Sequence, residues 1–565
     1  MRSRSPILLS LLVIASMLVT VIGCGAPAPP PATEVPTEPP PTAPPEPAAT
    51  PTPELPPEPE EKPVIVVALD SDIDHINPSE FRSDAGYYAV ANLYEPPLLQ
   101  KLVPGAEEGV LVGVGEYGPG MADEITVDEE TGVVTMHIQD GLKFADGTPL
   151  NAHSFKYMYD MQWLSPTSYT PVLFPFMGLG DPESVVAVDD NTLEFRLEQL
   201  TPLSLAIMAF NPLGALDEAT VEEHATADDE WAAEWLRRNA NPNGPYMITE
   251  WEQGVQYVFE PNPNYWQGED YFQNSKVIVR VVPSPEDREL LLRQGDIDLA
   301  LGLPYKNVDD LQADPNVKVY PIEYTRLFYL GMNNNLPPFD NKALRQAISY
   351  AVPYDTLIEE VFYGYAQKAT SPIPVGMPTH TDEFWPYDTD LDMAADKLEE
   401  AGFADGLDVI LAVRMSIPWD VEAATWIQSS LAEVGINVTI DRLPDAQFFE
   451  QLNAHQLPFF IHDWYSWGND PSYQLSFLLK CGQFTNYADY CNERVDELIE
   501  TTAWSLDPAV REAGMREAQE IVIDDAPWAF LYQPDWIVAV NKDFYGFAML
   551  DDLCLRFAHM GKVTE

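Results

Sequence analysis

A proline-rich stretch separates the chain into parts that cannot share one hydrophobic core. Residues 25–63 contain 17 prolines among 39 residues, and most of the others are Ala, Thr and Glu. Such a segment cannot bury a core and favours the extended polyproline II conformation. The body that follows, residues 64–565, is longer than the size at which a single core stops growing, so we expect at least two lobes.

The residues before this stretch have the pattern of an export signal. Arg2 and Arg4 precede an uncharged apolar run over residues 6–23, and Cys24 follows the run. The end of the run resembles the bacterial lipobox, in which the cysteine receives a diacylglycerol and the chain is cleaved before it. We predict a lipoprotein signal peptide over residues 1–23, lipidation of Cys24 and a proline-rich linker over residues 24–63. An uncleaved membrane anchor and ordinary secretion are the alternatives.

The body is strongly acidic. It carries 27 basic and 83 acidic side chains, a net charge of −56. This charge excludes nucleic acid as a partner, because binding phosphates needs a basic surface. The field repels anionic solutes and mildly favours cationic ones, but we interpret the charge as a solvated surface suited to an acidic or salty exterior rather than as a means of steering ligands.

Hydrophobic periodicity predicts a mixed α/β body. Alternation on both sides of Thr131 and Gly132 predicts a β-hairpin over residues 124–139, and the same pattern predicts a second hairpin over residues 185–198. Between them, residues 151–163 have helical spacing with Asn151 as the N-cap.

The second half of the body has the pattern of an α/β lobe. Strand 407–413, helix 423–434 and strand 436–440 form a predicted β-α-β unit, with Gly435 ending the helix. The remaining predicted elements are helix 342–351 and its continuation to residue 362, helix 516–525, and strands 64–70, 528–533 and 536–540.

The sequence contains no enzyme or cofactor motif with the surrounding residues that such a motif requires. The glycines of residues 113–118 match a dinucleotide-binding pattern, but Pro119 and Gly120 leave no helix start there, so we interpret the segment as a glycine-rich loop. The histidines form no ligand pair at helical spacing, and the chain has no Walker loop or serine elbow. We therefore predict no enzyme, no cofactor and no metal site. An exported hydrolase stays an alternative, because two catalytic carboxylates need no local motif.

The cysteines after the leader predict one disulfide. Cys481 and Cys491 are close in sequence, and an exported protein favours their oxidation. Metal binding by this pair is a weaker alternative, because no histidine lies between them. Cys554 is then left as a buried free thiol.

Three segments resemble the bacterial extracellular solute-binding protein family 5, the dipeptide- and oligopeptide-binding type that serves ABC importers. Residues 142–160 contain the family's acid-Gly-x-Pro turn at Asp146, Gly147 and Pro149. Residues 243–266 contain its Gly-Pro-Tyr stretch and Asn-x-x-Tyr-Trp ending, and residues 333–352 contain Pro-Phe-Asp followed by Arg345. The resemblance extends from about residue 64 to the end of the chain.

This resemblance implies a periplasmic-binding-protein-like fold of class II, the large peptide-binder type, in which two lobes close on a solute. The implied division is lobe I over residues 64–98, 208–328 and 541–565, an extra subdomain over residues 99–207, and lobe II over residues 329–540.

The resemblance also implies the position of the cleft wall, residues 463–481. Peptide-binding members have an acid four residues before the proline of this segment, which pairs with the peptide amine. Here Trp467 stands at that position relative to Pro471, and Asp463 or Asp470 could replace the acid. Aromatic faces in such a wall bind apolar side chains and sugar rings alike. The predicted ligand-binding residues in this segment are Trp464, Tyr465, Trp467, Asn469, Asp470 and Tyr473.

Arg414 is the candidate for the other end of a peptide. It is the only Lys or Arg between Lys397 and Arg442, and it ends a predicted strand. Dipeptide-binding members hold the ligand carboxylate with an arginine in a similar place, where a guanidinium makes two parallel hydrogen bonds. An ordinary surface ion pair with one of the many acids is the alternative.

We therefore expect a monomeric, non-enzymatic lipoprotein on the outer face of the bacterial cytoplasmic membrane. It captures a peptide or oligopeptide between two lobes and delivers it to an ABC permease. An oligosaccharide is the alternative ligand, and a metal complex or another small solute is a further one.

Overall fold

Two mixed β-sheets organise the part of the chain that the computed structural model describes, residues 61–466 and 468–563. Cys24, most of the proline-rich stretch and Trp467 lie outside the described residues. The first sheet has seven strands, in the order Val317–Ile322, Trp536–Asn541, Leu299–Leu301, Val64–Leu69, Lys276–Val281, Gln256–Pro261 and Tyr246–Glu252.

The second sheet has six strands and uses the middle of the chain. Their order is Ala366–Lys368, Trp528–Pro534, Leu327–Met332, Phe459–Trp464, Leu407–Arg414 and Ile436–Leu443. The chain therefore crosses between the two sheets after Ile322 and again at Asp535. The second crossing comes before the return expected at residue 541, because strand Trp536–Asn541 already pairs with two strands of the first sheet.

A four-stranded antiparallel sheet forms a smaller unit, which we call the small subdomain (residues 122–208). Its strands follow the order Ala122–Asp128, Val133–Ile138, Thr192–Arg196 and Val185–Ala187. Both predicted hairpins are confirmed, and Gly132 occupies the turn with φ of 71°, which favours glycine. The predicted helix is confirmed as Ala152–Leu164, and the Asn151 side chain accepts a hydrogen bond from the backbone N–H of His153 at 3.0 Å.

The predicted β-α-β unit is part of the second sheet. Strands Leu407–Arg414 and Ile436–Leu443 are parallel neighbours joined by helix Pro418–Glu433. Ile427 and Leu431 of this helix are fully buried, and Gly435 follows the helix end at φ of 86°. The other helices of eight or more residues are Asp84–Leu93, Pro285–Gln294, Lys342–Ala351, Leu391–Glu400, Asp445–Asn453, Pro471–Leu478 and Pro508–Asp525.

The glycine-rich segment of residues 113–118 is not a loop. It lies within strand Val110–Pro119, which pairs with strands Leu98–Pro104 and Phe547–Met549. A Cβ atom at Gly113 would lie 2.7 Å from the Gln100 side chain on the neighbouring strand. The glycine thus permits close strand packing, and the expectation of a loop was wrong because strand pairing outweighs the local preference of glycine.

The cysteine predictions are confirmed for the described residues. Cys481 and Cys491 form a disulfide, and Cys554 is a buried free thiol. Among the described residues, no helix combines the length and the apolar character needed to cross a membrane.

Candidate ligand-binding site

A cavity of about 160 Å³ lies between the two large sheets. Asp70 and Leu301 reach it from the ends of two parallel strands of the first sheet. Phe328 and Trp419 reach it from the second sheet and its helix Pro418–Glu433. In α/β proteins the carboxyl ends of parallel strands are the usual place for a ligand, so this cavity is the candidate site.

The two crossings between the sheets also line the cavity. The first crossing contributes Tyr324 and Arg326, and the second contributes Asp535. A second cavity of about 220 Å³ has Tyr324 and Asp535 in its lining as well, together with Glu323 and Asn469. The shared lining residues place the two cavities side by side along the crossings.

Aromatic rings from opposite sides meet at the first cavity. The ring of Tyr305, which follows the first-sheet strand Leu299–Leu301, lies edge-on to Trp419 at 5.9 Å and to Phe362 at 5.0 Å between centroids. The Tyr305 hydroxyl donates a hydrogen bond to the backbone carbonyl of Asp535 at 2.9 Å. These contacts join the two sheets and narrow the cavity.

A chain of buried charges runs beneath the cavity. Arg414 ends its strand with its side chain almost fully buried, and its guanidinium donates to the carboxylates of Asp463 and Asp420. The other oxygen of Asp463 accepts a hydrogen bond from Arg326 Nε at 2.6 Å. Arg414 is therefore neither a surface residue nor a free cation, because two carboxylates already occupy it.

The pKa values in this chain follow from burial and from charge pairing. Burial would raise the pKa of Asp463, but the guanidiniums of Arg326 and Arg414 outweigh it and hold the pKa well below its usual value. Burial raises the pKa of Asp420 to about 7, because the attraction of Arg414 compensates only part of the desolvation. Asp463 is thus the fixed anion that Arg326 and Arg414 share.

Further carboxylates line the cavity without such partners. Asp84 is the first residue of helix Asp84–Leu93, and partial desolvation by the surrounding protein raises its pKa, although the charge of Arg326 opposes this rise. The pKa of Asp535 rises to about 6 through burial and through the charge of Glu323. The cavity therefore combines aromatic walls with acidic groups.

Residues 116–486 match the family described as bacterial extracellular solute-binding proteins, family 5. The chain belongs to this family. A probable D,D-dipeptide-binding periplasmic protein of Escherichia coli (strain K12) is 29% identical over 417 residues, which cover 73% of this chain and 78% of that protein. A dipeptide-binding protein of the same strain is 25% identical over 511 residues, covering 86% and 92% of the two chains.

Solved structures share the fold of this family 5 protein. A periplasmic binding protein from Helicobacter pylori, in complex with the peptide STSA, superposes with a TM-score of 0.76 at 23% identity and covers 89% of this chain and 98% of that one. A dipeptide-binding protein from Pseudoalteromonas, in complex with Met-Leu, gives a TM-score of 0.76 at 20% identity, with 88% and 100% covered. The expected two-lobed periplasmic-binding-protein fold is confirmed, and the two large sheets are the cores of its lobes.

The described aromatic residues expected in the cleft wall of this family 5 protein lie in two different places. The Tyr465 ring has the Arg326 guanidinium 5.9 Å from its centroid, next to the charged chain below the cavity. Trp464 instead lies 6.4 Å from Tyr473, and Tyr473 lies 6.1 Å from Phe176 of the small subdomain, between ring centroids. Tyr473 therefore packs between the second lobe and the small subdomain, away from the first cavity.

The polar residues of the same segment are also divided. Asp470 caps helix Pro471–Leu478, and its two oxygens accept hydrogen bonds from Arg511 at 2.5 and 2.6 Å. Its carboxylate is thus engaged inside the lobe. Asn469, at φ of 41°, lines the second cavity.

Sequence reasoning missed the residues that come from outside this segment. Arg326 carries a signal that could have found it, since it is a charged residue directly before the apolar strand Leu327–Met332. Asp84 has a weaker signal as an acid at a helix start after Ser83. Tyr305 and Asp535 lie in segments that connect strands. The hydrogen bond between them joins residues far apart in sequence, so no local pattern indicates it.

Proposed function

We propose that the chain is the solute-binding component of an ABC importer and that its solutes are peptides. The cavity between the two lobes, with aromatic rings from both sides, is the observation that carries this proposal. Membership of family 5 and the peptide-binding relatives support it. In this proposal the solute is enclosed between the lobes beside Tyr305 and Trp419, and the loaded protein is then delivered to the permease.

Lipid anchoring is part of the proposal and rests on sequence alone. Cys24 follows the apolar run of residues 6–23, and the proline-rich stretch would hold the body away from the membrane. Labelling of the expressed protein with a radioactive fatty acid, lost in Cys24→Ser, tests this step. Label that persists in Cys24→Ser would contradict it.

Calorimetric titration with short peptides tests the ligand class. We expect Trp419→Ala to weaken peptide binding at least tenfold, because the Trp419 ring lines the cavity and touches Tyr305. Trp426→Ala is the matched control, since Trp426 lies on the same helix with 37% of its surface exposed and does not line the cavity. Equal losses in both variants would contradict the proposed site.

Oligosaccharides are the second candidate ligand, because the rings of Tyr305 and Trp419 would also stack on sugars. Mass spectrometry of the protein under native conditions, directly after purification, separates the two classes by the mass of a retained ligand. A retained glycan, or tight glycan binding without any peptide binding, would overturn the peptide proposal. Cleavage of either ligand during incubation would instead indicate a hydrolase.

A further inference from the structure

The charges that line the first cavity do not balance. Its lining contains the carboxylates of Asp70, Asp84 and Asp535 and one basic side chain, Arg326. Arg326 is already paired with Asp463, whose remaining oxygen is taken by Arg414. The folded chain therefore leaves an excess of negative charge facing the cavity.

Asp84 is the clearest of these unbalanced groups. Its side chain opens into the cavity, and its carboxylate has no hydrogen bond or ion pair within 4 Å among the described residues. Asp70 accepts one hydrogen bond, from the Ser71 hydroxyl at 3.0 Å, and has no ion pair in the described part of the chain. Both carboxylates are exposed in the open cavity, where an entering solute reaches them, and neither has a cation of the described chain as an ion-pair partner, so both favour a positive partner.

Tyr88 supplies an independent sign of a ligand at the same place. It lies one helical turn after Asp84, lines the cavity and is only 9% exposed. Its hydroxyl has no hydrogen-bond partner within the residues that the structure describes. The hydroxyl of a tyrosine buried to this extent normally has a partner, and here the side chain lines the cavity, where a solute would provide one.

The same lining disfavours an anionic group. A solute carboxylate would need a free cation, and the guanidinium of Arg414 already donates to Asp420 and Asp463. Near Asp84 and Asp70 such a group would meet like charges at short range.

We propose that the cavity selects solutes that carry a cationic group, an ammonium or guanidinium, with Asp84 as its ion-pair partner and Asp70 as a second carboxylate. The rings of Tyr305 and Trp419 accept the apolar stem of such a side chain and favour the cation itself. This inference rests on the proposed peptide-binding function and narrows it to peptides with a basic residue or a free amino end at this site.

Four peptides separate the two sources of the cation in calorimetric titrations of the whole protein. N-acetyl-Ala-Lys-Ala carries only a side-chain ammonium, Ala-norleucine-Ala only a terminal one, N-acetyl-Ala-norleucine-Ala neither, and N-acetyl-Ala-Glu-Ala an added anion. We expect at least one of the first two to bind at least tenfold more tightly than the third, and the glutamate peptide to bind most weakly. The peptide that binds more tightly shows whether the bound cation is the side-chain or the terminal ammonium.

Asp84→Asn is the decisive variant. It should remove at least tenfold of the affinity for the cationic peptide and change that for N-acetyl-Ala-norleucine-Ala less than twofold. Asp310→Asn is the matched control, since it removes the same charge from an exposed position of the first lobe outside the cavity. If Asp84→Asn does not fold, Asp70→Asn provides the same comparison at the second carboxylate.

The outcomes separate this inference from the function beneath it. Equal binding of all four peptides, or equal effects of Asp84→Asn and Asp310→Asn, would overturn the charge selection and leave peptide binding intact. No binding by any of the four would overturn both.

Discussion

Replacing Asp463 with asparagine removes the carboxylate that Arg326 and Arg414 share. Asp463 is 6% exposed, and it receives Arg326 Nε at 2.6 Å on one oxygen and the Arg414 guanidinium on the other. An asparagine of the same shape has no charge, and one of its two terminal groups is a donor that would face another donor. The variant therefore leaves two guanidiniums undercompensated in one place.

The size of the loss follows from the burial of each partner. Removing one member of a buried ion pair costs about 3–5 kcal/mol. Arg414 is 7% exposed at its side chain, so its pair falls in this range, whereas Arg326 is 24% exposed and contributes less because solvent screens it. We expect Asp463→Asn to lower the free energy of unfolding by about 3–5 kcal/mol. For a body of about 500 residues that unfolds as a unit, this loss lowers Tm by about 4 °C.

Thermal unfolding followed by tryptophan fluorescence measures this change. Asp441→Asn is the control, because Asp441 is an exposed acid on the adjacent strand Ile436–Leu443. Adding Arg326→Met to Asp463→Asn should recover part of the loss, because Asp463 is the ion-pair partner of Arg326 in the described part of the chain, whereas Arg414 keeps its pair with Asp420. If Asp463→Asn unfolds within 1 °C of the unmodified protein while peptide binding is lost, Asp463 is a ligand contact and the charge-pair reasoning is refuted.

Two further predictions concern packing and pH. Phe176→Ala should loosen the contact between the small subdomain and the second lobe and lower the free energy of unfolding by about 3 kcal/mol, because the Phe176 ring stacks on Phe477 at 4.5 Å between centroids. Small-angle scattering should show a larger radius of gyration for this variant than for Phe449→Ala, the control at an exposed phenylalanine. Identical scattering curves would count against this contact. Burial raises the pKa of Glu95 to about 7, so the native state binds the extra proton and stability falls by up to about 3 kcal/mol as pH rises from about 4.5 to above 7. Glu95→Gln should flatten urea-midpoint curves over that window, and an unchanged slope would exclude this carboxyl as the cause.

The parts of the fold that the sequence predicted are those that short-range patterns determine. The β-α-β unit of residues 407–443 and the two hairpins of the small subdomain depend on alternation, helical periodicity and turn residues within about 35 residues of sequence. The strand containing residues 113–118 escaped prediction because its partners, Leu98–Pro104 and Phe547–Met549, include a segment from the far end of the chain. Strand pairing of this range has no local signal.

In the candidate site, too, the ion pairs depend on contacts between residues far apart in sequence. The family resemblance predicts Asp463 and Asp470 as candidate partners for a ligand amine. The folded chain pairs Asp463 with Arg326, 137 residues away, and Asp470 with Arg511, 41 residues away. Such pairing depends on which strands and helices become neighbours, so composition and spacing could not indicate which acids stay free.

Ligand selectivity in this cavity depends on which charged side chains folding leaves without a partner in the protein. A protein with a net charge of −60 has many acids near any surface, and their number alone says nothing about a site. What matters is which carboxylates find a cation inside the protein. Arg326 and Arg414 form ion pairs with Asp463 and Asp420. Asp84, in contrast, faces the cavity without an ion pair to a cation among the described residues. Changing Asp84 therefore acts on the ligand, and changing Asp463 acts first on the fold, because Asp84 is exposed in the cavity whereas Asp463 is buried beside the same arginine.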